Sequence, residues 1–106
     1  MALTRAFKET VAKRVAEDPA FARALLDEAI HLFIDGEPEI AKSILRDLIN
    51  ATIGFEALAL EIDRPAKSLH RMLSETGNPT MTNISTIFAA VKKELRVEIR
   101  TEVVPV

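Results

Sequence analysis

The sequence contains no cysteine, and it has only two histidines and three glycines among its 106 residues. The lack of cysteine excludes a disulfide framework, a thiolate nucleophile and a thiolate zinc site. The scarcity of histidine and glycine leaves little material for a metal cage or a glycine-rich phosphate loop. We therefore expect a cytoplasmic domain that uses no metal and no other cofactor.

Long apolar runs are also missing. The longest unbroken ones span only a few residues, as at 87–91, whereas a bilayer-spanning helix needs roughly 18. The N-terminal segment is basic and amphipathic but has no apolar core followed by small residues, so it lacks the pattern of a secretory signal. With 48% hydrophobic and 28% charged residues, the composition is typical of a globular domain with no membrane partner.

Apolar residues recur at helical spacing over most of the chain, which predicts an all-α fold of five to six helices. Proline at the first helical position and glycine just beyond the last one are typical start and stop signals. The predicted helices are the segment before Asp18, Pro19 to about Asp35, the segment from Glu37–Pro38 through Ile49, Phe55 to Ile62, Pro65 to about Glu75, and a closing helix capped by Thr80.

After Arg96 the apolar period changes from helical to two, because Val97, Ile99, Thr101 and Val103 alternate with charged residues. This alternation predicts a short β-strand with one buried face. No second strand is predicted, and a lone strand leaves its backbone groups unpaired. We therefore expect the strand to pair antiparallel with its counterpart in a homodimer. The alternative is a frayed, disordered tail.

Sequence patterns for catalysis are scarce. The chain has no nucleophile elbow, no phosphate-binding loop and no His-Glu-x-x-His motif. Glu28 and His31 match the Glu-x-x-His spacing of di-iron carboxylate bundles, but such sites need a second copy of the motif, which the sequence lacks. We interpret His31 as a surface or boundary histidine near the acidic Asp27 and Glu28, and we predict that the protein is not an enzyme. An enzyme built around Glu28 and His31 is the alternative.

The most informative pattern runs from Gly54 to Thr80, GFEALALEIDRPAKSLHRML followed by GNPT. Two short helices joined by a three- or four-residue turn must share one small core, with Ala59 where the helices cross closely. That core is predicted to consist of Leu58, Ala59, Ile62, Leu69, Met72 and Leu73. The second helix then carries Lys67 and Arg71 one turn apart on its outer face. Such a helix suits the major groove of DNA.

The charge is unevenly distributed around this pattern. The net charge of −2 argues against a general binder of polyanions. The acids Glu56, Glu61 and Asp63 are followed by a basic stretch that includes Lys67 and Arg71. DNA would therefore bind through a local patch. The same acids favour the alternative that the two helices are an inert packing unit with a solvated face.

On these residues, the segment from Asn50 to about Val97 resembles the lambda-repressor-like helix-turn-helix domain of the xenobiotic-response-element family of regulators. The whole chain is similar to the addiction-module antidote (antitoxin) proteins of bacterial toxin–antitoxin pairs. That similarity rests on TRAFKETV, ILRDLINATIGFEALA, RPAKSLHRML and GNPT. We therefore divide the chain into a helical pair over 1–36, a helix-turn-helix DNA-binding domain over 37–95, and a C-terminal strand or tail over 96–106, which together form one compact domain.

The resemblance also implies which residues contact DNA. Base-reading contacts are expected from Ala66, Lys67, Ser68 and Arg71. Contacts with the DNA backbone are expected from Arg64, His70, Asn78, Thr80, Thr82 and Asn83, partly around the N-terminus of the closing helix. Phe55 and Ala66 depart from the family pattern, in which polar residues are frequent at both positions. Fewer contacts per monomer agree with a dimer that sums two half-sites.

We therefore expect a homodimeric, sequence-specific transcriptional repressor that binds double-stranded operator DNA. The resemblance further implies that it represses its own operon and neutralises a cognate toxin. A stand-alone dimeric regulator would carry the same helix-turn-helix residues. The remaining alternative is a protein-interaction module in which the apolar N-terminal helices do the work. An exposed patch at Phe21, Leu25, Phe33 and Ile34 would mark that partner site.

Overall fold

The computed structural model describes residues 2–106, with side chains from residue 6 onward, and contains six α-helices. They are α1 (Ala2–Glu17), α2 (Pro19–Ile34), α3 (Pro38–Ala51), α4 (Phe55–Ile62), α5 (Ala66–Met72) and α6 (Met81–Leu95). The predicted all-α class is confirmed. Met1, where the predicted N-terminal segment begins, lies outside the described residues. None of the described helices is both long and apolar enough to cross a membrane.

The helix ends follow their local sequence signals. A carboxylate oxygen of Asp18 accepts a hydrogen bond from the amide of Ala20 at 3.0 Å, and Pro19 occupies the first position of α2. The hydroxyl oxygen of Thr80 likewise accepts from the amide of Asn83 at 3.1 Å. Side-chain oxygens at these positions satisfy amides that have no partner within the helix. The predicted starts of α2 and α6 are therefore correct.

The helices share one hydrophobic core. The α3 helix packs against both α1 and α2, while α4 packs against α5 and α6. The largest fully buried side chains come from α3 to α6 and the residue after α5: Leu45, Leu48, Ile49, Leu58, Leu69, Leu73, Ile87 and Val91. Of the core predicted for the helix-turn-helix, four residues are buried, whereas Ile62 and Met72 are half-buried. Leu69 of α5 and Leu73 just after it belong to this core, which therefore holds the inner face of α5.

The predicted C-terminal strand is not found. No strand is present between residues 2 and 106, and residues 97–106 have no regular secondary structure. Val97 packs against the core, but Ile99, Thr101 and Val103 are exposed, the last completely. A strand is stabilised by hydrogen bonds to a neighbouring strand, and the described part of the chain offers none. The alternating pattern is therefore insufficient to form a strand in a single chain.

Candidate nucleic-acid interface

The predicted pair of short helices is present, joined by residues 63–65. Asp63 ends α4 in the left-handed conformation (φ 54°, ψ 52°), which aspartate tolerates better than most residues. The amide of Arg64 donates back to the carbonyl of Ala59 at 3.1 Å. The carbonyl of Pro65 accepts from the amides of Ser68 at 3.0 Å and Leu69 at 3.2 Å. The turn is thus closed by backbone hydrogen bonds on both sides.

The outer face of α5 carries two exposed cations. Lys67 and Arg71 are both exposed, and neither forms an ion pair with any described residue. The small residues Ala66 and Ser68 are half-buried near the start of the helix. The side chains of Lys67 and Arg71 are therefore available to a ligand at the surface.

The acids that precede α5 do not neutralise this face by pairing with it. Glu61 instead accepts a hydrogen bond from the ammonium of Lys93 on α6, with 2.8 Å between Nζ and Oε1. This hydrogen bond, together with the negative charge of Glu61, raises the pKa of Lys93. Glu56 and Asp63 are exposed and form no ion pair with a described residue. Of the three acids, Glu61 thus connects α4 to α6 through its ion pair with Lys93.

His70, a candidate for a DNA-backbone contact, stacks on Phe55 of α4. The ring centroids lie 4.0 Å apart with an interplanar angle of 21°. Phe55 is only 5% exposed, so its ring supports α5 from inside and offers no surface to a ligand. His70 itself is exposed. Sequence reasoning missed this stack, because it considered Phe55 only as a departure from a polar family position.

The other backbone-contact candidates cluster at the loop before α6. Arg64, Asn78, Thr80 and Thr82 are exposed, and Asn83 is half-buried. Among the residues that the structure describes, the guanidinium of Arg64 donates only to the carbonyl of Asp63, at 3.2 Å. The cap at Thr80 satisfies one amide of the first turn of α6, and the amides of residues 81 and 82 have no acceptor among the described residues. Free amides at a helix start favour an anion.

Two cations of α3 hold the loop that follows α5. Lys42 is only 3% exposed, and its ammonium donates to the carbonyls of Ser74 at 3.1 Å and Gly77 at 2.6 Å. Arg46 donates to the carbonyl of Leu73 at 2.8 Å. Sequence reasoning missed both residues. The available signal was two cations four residues apart beside an otherwise apolar helix face, but it did not reveal partners so distant in the sequence.

Gly77 is required by the same close approach. A Cβ atom at this position would lie 2.7 Å from the carbonyl carbon of Met72, and closer still to the carbonyl oxygens of Arg71 and Met72. These are backbone atoms at the end of α5, which cannot swing aside as a flexible side chain can. The loop therefore folds directly against the C-terminus of α5.

The alternative hypotheses concern an apolar partner patch on α2 and an enzyme site with a metal ion. Of the proposed apolar partner patch, Phe21, Leu25 and Phe33 are half-buried, and only Ile34 is largely exposed, at 71%. Phe33 packs edge-to-face on a phenylalanine of α6, with 5.4 Å between centroids. Within the described residues, no three His, Cys, Asp or Glu side chains are grouped to hold a metal ion.

His31 lies exposed on α2, where its Nδ1 is 2.8 Å from the carbonyl oxygen of Asp27 and 3.4 Å from its carboxylate. The hydrogen bond to this carbonyl, followed by the charge of the carboxylate, raises the pKa of His31. Both interactions come from the preceding helical turn. The geometry is that of a local surface contact, as interpreted from the sequence.

Comparisons of the chain with protein-family models, with curated proteins and with solved structures found no match. What α5 can bind therefore follows from its own residues. A guanidinium can donate two hydrogen bonds to guanine O6 and N7, and an ammonium can donate to the same acceptors. The seven-residue α5 helix is exposed on one face and packed on α4 with the other. This arrangement can present donors to a groove or to another anionic surface.

Proposed function

We propose that this protein is a sequence-specific DNA-binding transcriptional repressor that acts as a homodimer in the cytoplasm. The observation that carries the proposal is the outer face of α5, where Lys67 and Arg71 are exposed one turn apart and form no ion pair with a described residue. In this role α5 enters the major groove and both cations donate to base edges. The small side chains of Ala66 and Ser68 let the start of the helix approach the bases.

Contacts with phosphates would fix the orientation of α5 on the duplex. The exposed side chains of Arg64, Asn78 and Thr82 lie in the segments that flank α5. The free amides in the first turn of α6 add donors that favour an anion. In its cap of α6, the hydroxyl of Thr80 acts as an acceptor. Its own hydrogen therefore remains available to donate a hydrogen bond to a phosphate. These groups would position the protein without reading sequence.

A second copy would supply what the single chain lacks. Residues 98–103 are exposed and continue the alternating pattern that starts at the half-buried Val97, but no strand lies beside them within residues 2–106. Antiparallel pairing of two such segments would form a two-stranded ladder and fix the distance between the two α5 helices. For adjacent major grooves on one side of B-DNA, that distance is about 34 Å. The dimer would thereby bind two half-sites.

The resemblance to antitoxins extends this proposal, since it implies that the protein represses its own operon and neutralises a toxin. A stand-alone regulator would use the same face of α5. Co-expression with the product of the neighbouring reading frame separates the two roles. If that product arrests growth alone and not together with this protein, the antitoxin role is supported. Unchanged arrest during co-expression would contradict it.

The DNA-binding proposal is tested by gel shift on the protein's own promoter and on a scrambled duplex. Arg71→Ala should reduce the preference for the promoter by about 1–3 kcal/mol, because one bidentate base contact is lost. Lys13→Ala is the charge-matched control, since Lys13 is an exposed cation on α1, and it should change binding to neither duplex. An equal loss on both duplexes would make Arg71 a phosphate contact. No loss on either duplex would contradict the proposed role of α5.

A further inference from the structure

The C-terminal end of the short α5 helix is held by two cations of α3, the buried Lys42 and the half-buried Arg46. A helix of seven residues is too short to be stable alone, so its orientation depends on tertiary contacts. It packs on α4, but the loop after it is bound by side chains of α3. Lysine is rarely as deeply buried as Lys42. A buried ammonium is retained here because carbonyl oxygens surround it.

The Lys42 ammonium donates two hydrogen bonds, to the carbonyls of Ser74 and Gly77. It also forms an ion pair with the carboxylate of Glu39, 3.2 Å away. The carbonyl of Ser74 also accepts from the amide of Gly77 at 3.0 Å. Lys42 therefore bridges the two ends of one tight turn, and removing its ammonium would leave a carbonyl of a half-buried loop without its partner.

This turn is directly connected to the proposed base-reading residue. The hydroxyl of Ser74 donates to the carbonyl of Arg71 at 2.7 Å, and the amide of Ser74 donates to the same oxygen at 3.2 Å. Arg46 adds a bond to the carbonyl of Leu73, between these two residues. A rotation of the turn would therefore redirect the last turn of α5, where Arg71 projects.

We infer that Lys42 and Arg46 are positioning residues, which fix the direction in which α5 presents Lys67 and Arg71. The inference rests on the proposed DNA-binding function for its consequence, but its structural part can be tested without DNA. Lys42 is too buried to reach a phosphate itself. Its loss should therefore reduce discrimination between DNA sequences while leaving the number of neutralised phosphates, and hence the salt dependence, unchanged.

The structural part is tested by amide hydrogen exchange in Lys42→Met, which keeps the apolar stem and removes the ammonium. The amides of Ser74 and Gly77 should exchange at least several-fold faster, while those of α1 and α2 keep their protection. The control Lys13→Met removes the same charge from an exposed position on α1, and it should leave the exchange rates of Ser74 and Gly77 unchanged. Unchanged exchange at Ser74 and Gly77 in Lys42→Met would overturn the inference.

The functional part is tested on promoter and scrambled DNA at several salt concentrations. Lys42→Met should weaken promoter binding roughly ten-fold, within the range expected for one lost base contact, with scrambled DNA bound almost as before. A log–log salt slope reduced by about 0.9 would instead mean a direct phosphate contact and would overturn the inference. An equal loss on both duplexes would also overturn it.

A second pair of variants covers the case in which Lys42→Met does not fold. Arg46→Met should accelerate exchange after α5 and reduce discrimination, whereas Arg46→Lys, which keeps a cation, should restore most of both. If Arg46→Met and Arg46→Lys showed the same exchange rates and the same discrimination, the inference that Arg46 positions α5 would be contradicted. If the wild-type protein shows no preference for its promoter, the proposed function fails, and the exchange data alone decide whether α3 holds the end of α5.

Discussion

Substitution of Gly77 by alanine should destabilise the protein through a backbone clash. The added Cβ would lie 2.7 Å from the carbonyl carbon of Met72 and closer still to the carbonyl oxygens of Arg71 and Met72. An ordinary contact is 3.4 Å or longer, so backbone atoms at the end of α5 must move substantially. Forcing atoms into a packed region costs about 1–3 kcal/mol. The stiffer unfolded chain returns about 0.4–1 kcal/mol. A net loss of about 1–2 kcal/mol in unfolding free energy follows.

Urea unfolding followed by far-UV circular dichroism measures this loss, because the chain has neither tryptophan nor tyrosine for fluorescence. With a slope of about 1–3 kcal/mol per M, the midpoint should fall by roughly 1 M. Gly36 is the matched control, since it has φ +83° and a Cβ atom added there would meet nothing within 4 Å.

Asparagine distinguishes the two mechanisms at these glycines. It tolerates positive φ better than alanine does, so Gly36→Asn should be more stable than Gly36→Ala. Gly77→Asn should be no more stable than Gly77→Ala, because its larger side chain meets the same backbone. Wild-type stability of Gly77→Ala, or rescue of it by asparagine, would refute the close-approach reasoning.

Three further expectations concern the core, a helix cap and a surface histidine. Leu45→Ala, at a fully buried position of α3, should lower the unfolding free energy by about 2–5 kcal/mol in urea titrations, and a loss below about 1 kcal/mol would contradict tight packing there. Thr80→Ala should cost about 0.5–2 kcal/mol and Thr80→Ser much less, because serine can still cap α6; equal costs would argue against the cap. An NMR titration should place the pKa of His31 above its ordinary value of 6.5, and Asp27→Asn should lower it only in part, since the carbonyl contact remains. The raised pKa means that protonated His31 stabilises the fold fully at pH values below the unfolded pKa, and that this contribution is lost as the pH rises through the folded pKa; a titration midpoint at or below 6.5 would refute it.

The sequence was sufficient for the helices because their signals are local. Asp18 with Pro19, and Thr80, mark helix starts within a few residues of the groups that they satisfy. In α3 the apolar residues at helical spacing include the fully buried Leu45, Leu48 and Ile49, but also Ile40, which is 51% exposed. Periodicity does not show how wide the covered stripe is. Phe7 recurs at helical spacing with the buried Val11 and Val15, yet it is 62% exposed.

The less successful predictions depend on distant partners. The helix expected to continue to Glu75 ends at Met72, where Ser74 turns back on α5 and Lys42 binds the loop carbonyls. No local pattern announces a bond between residues more than thirty positions apart. The strand expected from Val97 depends on a partner even more directly, since none lies within residues 2–106.

The residue types of the candidate site were predictable from the sequence, but the contacts that hold α5 in place were not. The exposure of Lys67 and Arg71 follows from the helical period, since Leu69 and Leu73 occupy the buried side of the same segment. The stacking of His70 on a buried aromatic ring required the packing of α5 on α4. Side-chain types therefore identified the surface, and long-range contacts determine its orientation.

The most direct test of the central claim is an NMR titration of the isotope-labelled protein with a duplex from its own promoter. The largest amide shift changes should occur at residues 66–72 and at the start of α6, with little change along α2. They should be much smaller with a scrambled duplex of equal length. Changes confined to α1 and α2, or an absence of changes at Lys67 and Arg71, would contradict DNA recognition by α5.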